Sequence, residues 1–349
     1  MLKLGLGIAW DAKQISIPIK QIQLAEELGF DSVWCAEAYG SDAITPLAFI
    51  AGQTKKIRLG TSIAQLAART PASCAMQFNT LDVLAGRGRA ICGLGLSGPQ
   101  IVEGWYGQPW GKPYYRMRDY VQIMKKIFAR EGHVTHDGTE ISLPLPADVP
   151  GSMGVGKPLK SIMATNPNLP IWLGTGGESM VRLTAQYCDG WIPLGLTPDN
   201  FDRFKPWLDE GFSRAGNGKS LKNFEIQSGA FVNVTDDVQG AIDQQKSFFA
   251  FYVGGMGHKD KNFHKDTMVS RGYRDEAERI QELFAAGKRE EAAKVVPDEY
   301  VDDAGLFGPP DRIKERLSRW VDSPVTGLTL RNLNDETMRL LADINRELQ

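Results

Sequence analysis

Over residues 4–95 the chain repeats one pattern: a short apolar run, then a helical stretch, then the next apolar run after a brief connection. The strand-like runs fall at 4–9, 32–36, 57–63 and 90–94, and the helical patterns between them at 18–28, 45–51 and 70–85. Alternation with connections this short specifies parallel strands joined by helical crossovers. The punctuation agrees: Gly29 and Gly86 close helices, and Thr45-Pro46 and Thr70-Pro71 have the cap and first-turn chemistry that opens them.

The pattern continues after an interruption. A helix is predicted over 114–129, a small hairpin from 134–135 and 141–143 around His136-Asp137-Gly138, and then a Pro- and Gly-rich stretch, so that 133–170 reads as a hairpin with a lid-like loop. Order resumes with strands at 171–173, 190–194, 224–234 and 327–333, a helix over 178–187, a Thr197-Pro198 helix start and a closing helix at 336–348. A charged helical insertion occupies 236–310, with one helix expected over 275–296. Eight strands with interleaved helices fit an α/β (β/α)8 TIM barrel, a single domain over 1–349, better than the alternative, an open doubly wound sheet.

In a barrel, chemistry belongs to the strand C-terminal ends, here Trp10, Glu37, Tyr39, Ser62, Ile63, Ser97, Gly98, Gln100, Gly174 to Gly177, and Arg331. None of the histidines, His133, His136, His258 and His264, falls there, so neither a metal site nor Ser-His-Asp chemistry is expected. A formal net charge of -2 offers no footprint for nucleic acid or an anionic membrane, which leaves a small-molecule substrate. There is no export signal and no run long enough to span a membrane. Cys35, Cys74, Cys92 and Cys188 lack any C-x-x-C spacing and read as buried reduced thiols of a cytoplasmic protein.

Gly93, Gly95 and Gly98 formally match the dinucleotide fingerprint G-x-G-x-x-G. Pro99 and Gly104-Trp105 argue against the immediate helix that fingerprint needs, and Asp119, at the acidic spacing, lies within a helical pattern. A turn with packing glycines accounts for the glycines but leaves Ser97 and Gln100 unexplained. Gly174-Thr175-Gly176-Gly177 precedes a helix, so its N–H groups and the Thr175 hydroxyl either cradle a phosphate or form an ordinary turn. Two glycine-lined strand ends without acid-base machinery suggest a cofactor that carries the reactivity itself.

The whole chain resembles the bacterial-luciferase-like flavin-barrel superfamily, and within it the coenzyme F420-dependent oxidoreductases related to methylenetetrahydromethanopterin reductase. The carrying segments are 34–46 (WCAEAYGSDAITP), 59–63 (LGTSI), 93–107 (GLGLSGPQIVEGWYG), 174–177 before Asp189-Gly190-Trp191, and 254–263 (GGMGHKDKNF). The resemblance implies a deazaflavin across the barrel mouth, backed by a bulge whose non-prolyl cis peptide falls at Ser62-Ile63. It implies Gly95, Ser97, Gly98 and Gln100 beside the ring or its side chain, with Gly174, Thr175, Gly176 and Gly177 at the phosphate. Glu37 matches an acidic position near the ring, as proton donor, as a bond to the ring edge, or as a carboxylate paired with a loop cation. Where sugar-phosphate-oxidising relatives have Asp-His, this chain has Glu37-Ala38, so a sugar phosphate is not expected. Trp10, Tyr39 and Trp105 would shape the substrate pocket, the 254–263 loop would close over it, and Arg116 or Arg118 would reach the cofactor's acidic tail. The function implied is hydride transfer between deazaflavin C5 and a small organic substrate, in a homodimer like many relatives. Two alternatives remain: an FMN-dependent luciferase-like monooxygenase, and a barrel that binds the cofactor without turnover.

Overall fold

The structure, a computed structural model, describes residues 2–8, 16–258 and 261–349. The first half contains β1 (Lys3–Gly7), α1 (Ile19–Glu27), β2 (Ser32–Cys35), α2 (Ile44–Ala51), β3 (Arg58–Thr61), β4 (Ala64–Gln65), α3 (Pro71–Leu84), β5 (Ala90–Gly95), α4 (Pro99–Gly104) and α5 (Pro113–Ala129). After the 130–170 connection come β6 (Ile171–Thr175), α6 (Glu178–Tyr187), β7 (Gly190–Pro193), α7 (Phe201–Ala215) and β8 (Glu225–Val234). Then follow α8 (Val238–Gly254), α9 (Phe263–Ser270), α10 (Arg274–Ala285), α11 (Arg289–Val295), α12 (Asp298–Asp302), β9 (Gly305–Gly308), α13 (Pro310–Val321), β10 (Gly327–Arg331) and α14 (Asp335–Glu347).

The strands run β10-β1-β2-β3-β5-β6-β7-β8, all parallel, and β8 pairs back onto β10 from Gly327↔Gln227 to Arg331↔Phe231. That last ladder closes the ring, so the chain is a TIM barrel and not an open sheet. Two tryptophans fill its interior: Trp34 on β2 and Trp172 on β6, fully buried with ring centroids 5.4 Å apart. A Cβ at Gly190 would lie 2.6 Å from the Trp172 ring, and one at Gly60 would overlap Trp34, which is why these interior positions are glycine. Each indole buries on the order of 200 Å², about 5 kcal/mol of apolar transfer. Below them, Arg58 bonds both Asp31 (2.6 Å) and Glu225 (2.8 Å), and Lys3 joins Glu225 at 2.7 Å, closing the N-terminal face. The barrel is thus plugged at its lower end and open only at the upper.

Several local expectations are corrected. Pro99 does not prevent a helix; it is the first residue of α4, where its missing N–H is not needed. The single helix expected over 275–296 breaks at Gly287, whose φ of 77° ends α10 before α11 begins. The Thr197-Pro198 start is too early, since Asn200 accepts from Thr197 N–H and α7 begins at Phe201. In the predicted hairpin, His136 pairs with Leu143, but Val134 pairs with Leu159 farther along. β9, short and flanked by glycines, was not anticipated. It pairs with the outer part of β8, Phe231 to Val234, beyond the segment that closes the barrel. α8 to α12 and β9 surround a second core of Ile242, Val253, Met268, Ile280, Leu283 and Phe307, separate from the barrel's.

Candidate functional site

At the open end, the chain after β3 turns through a cis peptide between Ser62 and Ile63 before β4 resumes pairing with β5. Ser62 N–H donates to Cys35 O (2.8 Å), and Glu37 N–H donates to Ile63 O (3.1 Å), tying this bulge to the end of β2. The Ile63 side chain then lies over two neighbouring strands. A Cβ at Gly95 would come within 2.6 Å of Ile63 Cγ1, and one at Gly174 within 2.7 Å of Ile63 Cγ2. Gly95 and Gly174 are therefore glycine because Ile63 already occupies the space above them.

Next to Ile63 is a cavity of about 370 Å³. Ser97, Gly174, Thr175, Gly176 and Gly177 line it, so five residues expected from the sequence at the cofactor do converge. Ser97 has a left-handed φ of 58°, a conformation costing a side-chain-bearing residue about 1–2 kcal/mol, and it turns the chain from β5 into α4. Gly177 caps α6 without a side-chain oxygen, so first-turn N–H groups are left for whatever enters the cavity. A Cβ on Gly177 would meet nothing within 4 Å, unlike one on Gly176, which would touch Leu194.

One hydroxyl is not available as expected. Thr184 donates to Met180 O (2.7 Å) and so accepts from Thr175 at 3.0 Å, which turns the Thr175 hydroxyl into the protein. The cavity's far wall comes from Phe263, the end of the 254–263 segment expected over the site, and from residues the sequence did not indicate: Ser179 of α6, Arg203 of α7, and Thr267 and Ser270 of α9. Their helices lie outside the strand-end rule. A larger hollow of about 540 Å³, lined by Phe212, Lys219 and Leu221, sits where α7 ends, toward the plugged face, and Lys219 is committed to Gln186 O and Cys188 O.

Glu37 occupies the expected place at the end of β2, where it is paired with a cation. Its carboxylate accepts from Arg69 Nη1 (2.8 Å) and Nη2 (2.5 Å) and from Gln65 N–H (2.6 Å), with the Glu37 side chain 3% exposed and that of Arg69 10%. Burial opposes the Arg69 charge, but Glu37's hydrogen bonds and charge outweigh it and hold the guanidinium above its ordinary pKa. Of the roles the sequence leaves open for Glu37, the pairing with a cation is the one the geometry displays, with both carboxylate oxygens engaged.

The aromatic candidates form a second group at the rim. Tyr39 and Trp105 are exposed, with ring centroids 6.3 Å apart, and the Tyr39 hydroxyl reaches Met256 Sδ at 3.7 Å. Gln100 folds over Gly98 and donates to Met256 O, so Gly98 and Gln100 sit at the rim and not among the cavity-lining residues. The segment 252–256 thus roofs part of the mouth. Trp10, and Lys259 of the 254–263 loop, lie outside the described residues; Lys261 lies 5.5 Å from the Trp110 ring. Arg116 and Arg118 are paired with Glu140 (3.3 Å) and Asp119 (3.0 Å).

The luciferase-like monooxygenase family profile matches residues 12–327. The Mycobacterium tuberculosis protein named "Putative coenzyme F420-dependent oxidoreductase Rv3520c" is 44% identical over 345 residues, 98% of each chain. The 5,10-methylenetetrahydromethanopterin reductase of Archaeoglobus fulgidus is 27% identical over 332 residues, 93% of this chain and 92% of that one. Among solved structures, the coenzyme F420-dependent tetrahydromethanopterin reductase from Methanopyrus kandleri aligns over 100% of this chain and 99% of its own with a TM-score of 0.79 at 20% identity, a likeness of fold.

Proposed function

The chain belongs to the luciferase-like monooxygenase family, and from that premise we propose that it is a coenzyme F420-dependent oxidoreductase acting on a small organic substrate. The observation that carries this is the cradle beside Ile63: a cavity next to an uncapped helix N-terminus, with open space at Gly177. Main-chain N–H groups of 176–179 and the Ser179 hydroxyl suit a phosphodiester, since a helix N-terminus carries partial positive charge. Arg203, whose only hydrogen bond among the described residues is a long one of 3.3 Å to Ser270 O, adds a cation at the same wall. Ile63, lying over Gly95 and Gly174, presents an apolar ledge for a flat ring. Bound there, the deazaflavin supplies hydride chemistry at its C5.

The protein's own part is orientation and water exclusion. The Glu37–Arg69 pair is a positioning device, fixing the bulge and hence the ledge. Tyr39 and Trp105 wall the rim above it, on the side where a substrate would enter. The chain is proposed to work as a cytoplasmic homodimer: all four thiols are free and buried, and Phe49, Met76, Leu84, Ile162 and Met163 leave an apolar surface on α2, α3 and the 144–170 loop. Size-exclusion chromatography with light scattering reads the dimer directly.

The test is to titrate purified protein with F420 and with FMN, following tryptophan fluorescence. Saturable quenching by F420 is expected. FMN binding without F420 binding would overturn the assignment in favour of a monooxygenase. Tight F420 binding with no oxidation of the reduced cofactor by any carbonyl compound would favour a non-catalytic binding barrel.

A further inference from the structure

Two ionisable residues line the cavity beside Ile63 among those described, and both stand on the wall away from the strands: Arg203 in the first turn of α7 and Asp266 in the first turn of α9. The wall they face, Gly174 to Gly177 with Ser179 and Met180, carries no ionisable side chain. Glu178, the first residue of α6, is not among the lining residues, and its carboxylate pairs with Arg182 at 2.5 Å. Helix α9 is fastened where it stands. A Cβ at Gly195, where φ is 80°, would overlap Thr267 Cγ2, and Arg203 donates to Ser270 O at 3.3 Å. Asp266 is thus presented to the cavity by a helix held to the barrel at its middle and at its end.

The cations next to Asp266 on its own segment are engaged elsewhere. Lys265 Nζ donates to Gln281 Oε1 of α10 at 2.6 Å, and Lys261 lies 5.5 Å from the Trp110 ring. Burial raises the Asp266 pKa, with Lys265 and Lys261 opposing the rise. Arg203 shares the cavity with Asp266, its guanidinium 5.5 Å from the Phe204 ring and 5.7 Å from that of Trp207. A carboxylate beside a bound phosphate is unfavourable, and the repulsion grows with the phosphate's charge. A phosphate monoester carries about −1.5 to −2 at neutral pH because its second pKa is about 6, whereas a diester has a single ionisation and carries one charge.

We infer that Asp266 is a charge filter on the cofactor's phosphate: the cradle accepts a phosphate diester, with its single negative charge, and disfavours a monoester such as FMN. Arg203 and the N-terminus of α6 offset one negative charge, and a second one on the same phosphate meets the Asp266 carboxylate. The inference rests on the function proposed above and deepens it, naming a residue that sets the class of cofactor at the same site.

The experiment titrates the protein with two pairs of compounds that differ in that charge: the deazariboflavin core of F420 as its 5′-phosphate and as the methyl ester of that phosphate, and FMN with its methyl ester. The phosphate-free compounds serve as uncharged references. Tryptophan fluorescence reads Kd without turnover. In the deazaflavin pair the methyl ester is expected to bind tighter than the monoester by about five- to tenfold, the effect of one further unit charge across a cavity open to water. Asp266→Asn keeps the side chain's shape and an acceptor oxygen; it should bring the pair within about twofold by tightening the monoester, with the phosphate-free compound unchanged. Asp266→Glu should keep the preference, and Arg203→Met should weaken both esters while leaving the phosphate-free compound alone. Monoester and methyl ester bound alike by the unaltered protein, a preference that survives Asp266→Asn, or an equal loss of both esters in that variant overturns the inference. A flavin pair that binds where the deazaflavin pair does not counts against the F420 assignment, and an ester preference in that pair, abolished by Asp266→Asn, leaves the charge filter standing. Binding of neither pair overturns the cradle and the inference together.

Discussion

Replacing Arg69 by Met should be among the most damaging single changes at the barrel mouth. The substitution keeps an unbranched stem and removes the guanidinium, so two charge-assisted hydrogen bonds of 2.8 and 2.5 Å disappear while Glu37 stays buried, its side chain 3% exposed. Removing one partner of a buried ion pair costs about 3–5 kcal/mol, most of it the stranded charge. Glu37 would retain only the Gln65 N–H bond. Because the same carboxylate fastens the bulge that presents Ile63, the loss should reach the cofactor as well, lowering affinity by about tenfold or 1.4 kcal/mol. Urea unfolding followed by tryptophan fluorescence and by circular dichroism reads stability, and fluorescence titration reads affinity. The double variant Glu37→Gln with Arg69→Met removes both charges and should recover at least about 2 kcal/mol of the single variant's loss. An Arg69→Met protein within 1 kcal/mol of the original at neutral pH, with its cofactor affinity intact, would refute the anchoring role.

Three further outcomes follow from the geometry. Gly177→Val places a side chain where nothing lies within 4 Å, so unfolding stability should change by less than about 0.5 kcal/mol while F420 affinity falls at least tenfold; unchanged affinity would remove Gly177 from the cradle. Burial pushes His264 down to about 4 against about 6.5 in an unfolded chain, so the unfolded state binds the proton first. Stability is therefore lost as pH falls from about 6.5 to about 4, by up to about 3 kcal/mol, and His264→Phe should flatten that part of the profile. All four thiols are buried, and burial pushes Cys188 up to about 12 and Cys92 well above its ordinary value. A chromogenic disulfide reagent at pH 8 should thus label the native protein only after denaturant is added, and rapid labelling of any cysteine would contradict the packing.

The periodic parts of the fold were legible because each strand buried on both faces leaves a short apolar run and each helix leaves a capped stripe. All eight barrel strands sit where those runs predict, and Thr70 caps α3 by accepting from Ser73 N–H. β9 left no such trace. Its four residues, GLFG, are too few to show a period, and its strand partner is the distant end of β8, a relation that no local pattern records. At the mouth, the glycines were visible as glycines but their reasons were not. Gly95 and Gly174 make room for Ile63, a contact between residues 32 and 111 positions apart, whereas Gly177 faces open space. Glu37 looked like a chemical group because nothing near it in sequence suggested a partner; Arg69 reaches it only after the bulge has folded back.

Because the roof over the mouth belongs to the second core, and reaches the barrel through the continuous strand shared by β9 and β10, two jobs are carried by two separately packed bodies. Amino-acid changes in α8 and the turn after it can reshape the entrance and retune which molecules are admitted, while the strand-end glycines and the tryptophan floor remain as they are. A laboratory seeking new substrates for this scaffold would diversify Met256 first and leave the strand ends alone.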